Sequence, residues 1–295
     1  MNLTRVFVTR QAISSRFNVT CCSFLNIMSS LGGGALYVQG SSTSIELDSC
    51  TFFNCNSSSN AGAIYVEQSS SFFKSIHCIF SHCNAQYCAA VSSSTVNDQM
   101  IFASFWKCSS APQICTNIVL LFAGDGQNCS YVNTTDTNAN HHSGLHQTSA
   151  KQYVETRFIN VGNHRNSQFI FGFASFPINS ECSYVNMFNN TVSHSLVYMS
   201  QVTQLKLHYF LFKSNSGPVT LNDNSFVGSL YLLSCKFFEP SATLGIHIIT
   251  MSGCEMNAQI NTYPIPMQDK CNYHATKSNL GFHNNLLILL AQICV

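Results

Sequence analysis

Cysteine and histidine carry most of the chemical potential of this chain, with 15 Cys and 11 His among 295 residues. Cys22, Cys50 and Cys78 are spaced by 28 and 28 residues, and Cys55, Cys83 and Cys108 form a second series spaced by 28 and 25. Three chemistries are open to such series. The thiols can pack as small buried hydrophobes, link as disulfides from one member to the next, or hold a metal as thiolates. Metal ranks last, because the two series are offset from each other by a C-x4-C spacing rather than the paired C-x2-C of zinc sites. An odd cysteine count leaves at least one thiol unpaired.

The other candidates for chemistry are weaker. His141, His142 and His146 fall in the polar stretch 133–151. The spacing of His142 and His146 would suit a metal on a helix, but the surrounding Asn, Thr, Ser and Gly disfavour a helix, so the stretch reads as a solvated loop leaving the main fold. Cleavage of acidic polysaccharides would need a carboxylate cluster for calcium or a pair of carboxyl groups about 5 to 9.5 Å apart. The chain has 12 Asp and Glu in all. Asp125 and Asp136 are the nearest approach to an outward pair in the middle of the chain, and Glu46 with Asp48 shares one face of a strand. No residue is assigned a catalytic, cofactor-binding or metal-binding role, and no cofactor is expected.

Composition narrows the partners. Charged residues make up 8% of the chain, against about 25% in an average soluble domain. Ser, Asn and Thr must therefore wet the surface. A net charge of +1 without a basic cluster leaves no electrostatic footprint for nucleic acid or for an anionic membrane. A hydrophobic content of 45%, with 23 Phe, is ample for a core.

A repeat must position these residues. Gly33-Gly34-Ala35-Leu36-Tyr37 is followed by Cys50-Thr51-Phe52-Phe53-Asn54-Cys55, and the pair of phrases returns as Ala61-Gly62-Ala63-Ile64-Tyr65 and Cys78-Ile79-Phe80-Ser81-His82-Cys83, with a third echo at Cys88-Ala89-Ala90-Val91-Ser92. Aligning the aromatic anchor gives Phe24, Phe52, Phe80, Phe105, Tyr131, Phe158, Tyr184, Phe212 and Phe237, with gaps of 25 to 28 residues. Such a period, with Gly, β-branched and aromatic residues, marks short coils that bury their apolar face only against neighbouring coils. The fold class is all-β, a right-handed parallel β-helix of about nine coils of 25–28 residues, the hand following the rule for parallel connections. Repeats occupy 1–240, and 241–295 supply the last coil or coils and a C-terminal cap.

Within a coil, Ile45 and Leu47 alternate with Glu46 and Asp48 as in a strand with one buried face. Leu36, Ile64 and Val91 are expected to stack, and the small residues before them suit a close approach of backbones. In register, each cysteine series becomes a column with a rise of about 4.8 Å per coil, inside the Cα separation that a disulfide accepts.

The Gly-Gly-Ala-Leu-Tyr and Ala-Gly-Ala-Ile-Tyr phrases, paired with Phe53-Asn54-Cys55-Asn56 and later Phe212-Lys213-Ser214-Asn215, resemble the polymorphic outer-membrane proteins of chlamydial type and the β-helical surface proteins of parasitic protists. The good match covers about residues 19–92. The resemblance implies a surface-displayed passenger, an adhesin or antigenic protein that binds host-cell proteins or glycans and has no known catalytic centre.

Location is read from three further signs. Met1 to Arg10 lacks the apolar core of a secretory leader, and the run Leu286 to Ala291 is too short to cross a bilayer. Six Asn-x-Ser/Thr sequons, at Asn2, Asn18, Asn56, Asn128, Asn133 and Asn189, and the cysteine content favour a cell-surface or extracellular address. Membrane association is expected only if the chain is a fragment. The leading function is thus a non-enzymatic adhesin. A polysaccharide lyase or glycoside hydrolase, and a structural or decayed member without a binding role, are the alternatives.

Overall fold

The structure, a computed structural model, describes residues 2–3, 6–9, 15–39, 43–108, 117–122, 124–165, 167–223, 229–238, 244–245 and 249–256, and each regular element among them is a β-strand. These residues belong to one compact unit, Met1–Tyr263. All strand pairings are parallel, and each strand pairs with the strand about one repeat further on. The chain is therefore a parallel β-helix, the class expected from the repeat.

One coil shows the plan. Leu36–Gln39 forms a first face, Thr43–Asp48 a second and Thr51–Phe53 a third. The second-face strand alternates buried and half-buried residues, with Ile45 and Leu47 pointing inward. Corners separate the faces. The residue between the second and third faces has positive φ in successive coils, at Cys21, Ser49, His77, Phe102, Tyr131, Phe158, Tyr184, Tyr209 and Ser234. A second corner, after the third face, does the same at Asn26, Asn54, His82, Lys107, Asp136, Asn163, Asn189 and Ser214. Left-handed backbone reverses the in/out alternation locally and turns the strand. It costs roughly 1–2 kcal/mol for most residues and less for Asn, the commonest residue at the second corner.

Interior columns run the length of the stack. Leu36, Ile64 and Val91 are in register and fully buried, and Val119, Val197 and Leu221 extend them. On the third face, Phe24, Phe52, Phe80 and Phe105 stack with ring centroids 4.7–4.9 Å apart and rings nearly parallel. Each ring buries fully, worth roughly 2–3 kcal/mol before any stacking contribution.

Register corrects the aromatic anchor. Phe105 pairs with Thr134, and the column continues through Val161 and Met187 before returning to Phe212 and Phe237. Tyr131, Phe158 and Tyr184, expected in this column, sit three residues earlier, at the outward corner. The true interval from Phe105 to Thr134 is therefore 29 residues, outside the expected 25–28. Pairing also continues past residue 240, where Leu244–Gly245, Ile249–Ser252 and Glu255–Met256 join the three faces. The last of these coils is short, with Phe237 opposite Met256. The cap expected beyond it, residues 257–295, lies outside the described residues.

The small-residue phrases do close work. A Cβ on Gly34 would lie 2.0 Å from the Gly62 carbonyl oxygen, and one on Gly62 would lie 2.3 Å from that of Ala89. Backbone approaches backbone here, coil on coil.

Candidate functional site

The left-handed corner between the second and third faces holds its side chains outward, and parallel register then places them one above another. His77, Phe102, Tyr131, Phe158, Tyr184 and Tyr209 form a continuous outer ladder, with neighbouring centroids 4.5–5.0 Å apart and interplanar angles of 13–21°. All six are partly exposed. The stacking, worth roughly 0.5–1.5 kcal/mol per pair, offsets the strain of aromatic residues at positive φ. The ladder presents ring edges and tyrosine hydroxyls along one side of the β-helix.

The acidic residues take other roles. Glu46 is held by Arg16 and by Lys74 at 2.8 Å, and these hydrogen bonds from Lys74 and Arg16 lower its pKa. Asp48 faces His77 at 3.1 Å, Glu155 pairs with Arg157, and Glu255 lies 3.5 Å from Lys236. Asp125 and Asp136 flank opposite ends of the strand Gly126–Thr135, so the structure places them at different corners. Asp136 instead accepts from the Trp106 indole at 3.4 Å.

His142 and His146 are not in a loop, and His141 sits at the bend just before their strand. Strand His142–Thr148 is part of the first face, its register carried from Asn117 through His142 to Phe169. The alternation of this strand is broken by Ser143 and Gly144, which hid it in the sequence. Asn117 Oδ1 accepts from His142 Nδ1 at 2.9 Å and from His146 Nδ1 at 3.1 Å, and the two imidazoles stack 4.0 Å apart. Both Nε2 atoms are buried without a hydrogen-bond partner. Burial first, then the neighbouring imidazoles, holds all three histidines below the ordinary range, His146 at about 3, so the cluster is neutral. A Cβ at residue 172 would lie 2.4 Å from His142 Nε2, so Gly172 is what gives the ring room. The cluster is packing chemistry, with Phe169 and Tyr198 against it.

A buried carboxylate was missed from sequence. Asp98, opposite Phe73 and Gln127 on the inner side of the second face, is 0% exposed. Its Oδ1 accepts from Ser93 at 2.6 Å and Thr95 at 2.8 Å, while Oδ2 has no partner. The signal was the phase of the repeat, which aligns Asp98 with inward Phe73.

Both cysteine series are columns, as expected. Cys22, Cys50 and Cys78 are in register, and so are Cys55, Cys83 and Cys108. The described cysteines are free thiols, each of these except Cys22 fully buried. Of the sequons, Asn18 and Asn189 are exposed, whereas Asn56, Asn128 and Asn133 are half-buried. The side chain of Asn2 lies outside the described residues.

Comparison with protein-family models, curated proteins and solved structures finds no match. The site must therefore speak through its geometry. Among the described residues, no group of three His, Cys, Asp or Glu is arranged to hold a metal, and no helix is long and apolar enough to cross a membrane. What the described surface offers is extended: a ladder of aromatic edges beside charge pairs.

Proposed function

We propose that this chain is a non-enzymatic binding protein, displayed at a cell surface or secreted, that presents the side of its β-helix to proteins or glycans of another cell. The observation that carries this reading is the outer aromatic ladder from Phe102 to Tyr209, partly exposed over successive coils. Elongated solenoids bind through such continuous faces rather than through deep pockets. Aromatic side chains with a polar tip favour interfaces, because they bury large area at small entropic cost. The pairing of Glu46, Glu155 and Glu255 with Arg or Lys side chains also favours binding over hydrolysis, since a glycosidase needs one carboxyl group free to donate and another free to attack. The resemblance of the repeats to polymorphic outer-membrane proteins points the same way.

The test is binding of the purified chain to intact cells and to a glycan array, repeated with the double variant Phe158→Asn/Tyr184→Asn. Asn tolerates the left-handed corner, so the variant keeps its backbone. Binding by the parent chain that falls at least tenfold in the variant, with unchanged circular dichroism, supports the reading. No binding by the parent, or equal binding by both, sinks it. Surface labelling of source cells tests the address separately.

A further inference from the structure

We propose that Cys235 and Cys254 are a redox-active dithiol that closes into a disulfide between the last two described coils. Lys236–Phe237 pairs in parallel with Glu255–Met256, Lys236 opposite Glu255, which sets Cys235 directly opposite Cys254. In-register neighbours on parallel strands lie about 4.8 Å apart, within the Cα window of a disulfide. Both side chains turn towards the core, Cys235 fully buried and Cys254 packed against it but partly exposed. Each thiol donates to a carbonyl of the preceding coil, Cys235 Sγ to Leu207 at 3.4 Å and Cys254 Sγ to Leu232 at 3.3 Å, so the two side chains share one orientation in the same interior column.

Exposure separates this pair from the other in-register cysteines. Cys50 with Cys78, and Cys55 with Cys83 and Cys108, are sealed at 0% exposure. At the opposite end of the stack Cys22 is also partly exposed, but burial raises its pKa and suppresses its thiolate. Cys254 is different. The neighbouring Cys235 thiol holds it below the ordinary thiol range, while the same proximity, followed by burial, raises Cys235. Access and thiolate character thus coincide at Cys254, with a resolving thiol beneath it.

The oxidant is a small-molecule disulfide such as oxidised glutathione. Cys254 thiolate attacks one glutathione sulfur, the glutathione S–S bond breaks, and one glutathione leaves as thiolate and takes a proton. Cys235 then loses its proton and attacks Cys254 Sγ, forming the Cys235–Cys254 bond and expelling the second glutathione. Two protein thiols are oxidised and one glutathione disulfide is reduced to two thiols.

The experiment equilibrates the full chain with oxidised glutathione, quenches in acid, alkylates under denaturing conditions and maps the peptides. Cys235 and Cys254 are expected to lose alkylation together and to appear as one cross-linked peptide, at times when Cys50 and Cys78 still alkylate. In Cys235→Ala, Cys254 should instead hold a single glutathione that dithiothreitol removes. The proposal is overturned if Cys254 links to Cys271 or Cys294, if parent Cys254 accumulates glutathione without cross-linking to Cys235, or if both cysteines stay reduced.

Discussion

Asn190 Nδ2 donates to the Val161 carbonyl of the preceding coil at 3.1 Å. Cys83 Sγ makes the same bond one coil down, to the Phe52 carbonyl at 3.7 Å. The position is one interior column throughout, running Cys55, Cys83, Cys108, Thr137, His164, Asn190, Asn215. Cys55 and Cys108 reach the carbonyls of Phe24 and Phe80, His164 Nε2 lies 3.0 Å from that of Thr134, and Asn215 donates to that of Met187. A carbonyl beside each corner needs a donor from the next coil, and thiol, imidazole and amide all supply one.

Asn190 does more than cysteine can, because its Oδ1 also accepts from the His164 backbone N–H at 3.0 Å and its Nδ2 donates to Asn215. Asn190→Ala should therefore cost about 3 kcal/mol, leaving several buried groups unpaired, whereas Cys83→Ala should cost about 1.5 kcal/mol. Urea unfolding of both variants checks the ranking. Equal losses would mean that the shared column has no hydrogen-bonding role.

This column shows how far the sequence is legible. The repeat, the parallel class and the stacking of Cys50 on Cys78 follow from spacing, because identical residues at a constant interval must coincide in register. The change from Cys108 to Thr137 breaks the spelling, and Thr137 turns its hydroxyl to the Ser143 carbonyl, yet His164 and Asn190 resume the bond to the preceding coil, so the column is invisible by residue type. The anchor failed at Tyr131 for a related reason: inner Phe105 and outer Phe102 recur with the same period, and period alone does not report phase. Asp98 was lost the same way, as a polar residue on the inner phase.

The outer ladder makes substitution order unusual at Phe158. Its ring stacks on Tyr131 at 4.8 Å and Tyr184 at 5.0 Å, and its φ is 55°. Phe158→Ala loses both contacts and keeps the strain, while Phe158→Asn loses the contacts and relieves part of the strain. Alanine should be the worse replacement by about 1 kcal/mol. Chemical denaturation that ranks Ala above Asn would contradict the corner's control of this position.

Gly62 should tolerate no side chain. A Cβ would meet Ala89 O at 2.3 Å and Asn84 O at 2.6 Å, both backbone atoms that belong to the next coil. Gly62→Ala is expected to cost about 3 kcal/mol through overpacking. Gly124→Ala, whose nearest contacts are at 3.9 Å, should change stability by less than about 1 kcal/mol. Thermal melts of the two variants compare them directly.

Buried Asp98 and His164 make stability depend on pH with opposite signs. Burial raises the Asp98 carboxyl to about 6, against about 3.9 in the unfolded chain. Its favourable contribution is complete below about pH 4 and is lost as pH rises through 6, a loss of about 3 kcal/mol by pH 8. Burial lowers His164 to about 4, against about 6.5 unfolded. The carbonyls of Thr134 at 3.0 Å and Thr137 at 3.2 Å pull the other way, but burial outweighs them and favours the neutral ring in the fold. That contribution is complete above pH 6.5 and is lost as pH falls through 4. The stability of Asp98→Asn relative to the parent should therefore climb by about 3 kcal/mol between pH 4 and pH 8. Urea unfolding at both pH values reads this difference, and any constant offset from the substitution cancels. A difference that does not change with pH would mean that the carboxyl titrates alike in the folded and unfolded chain, and Asp98 would then have to reach solvent.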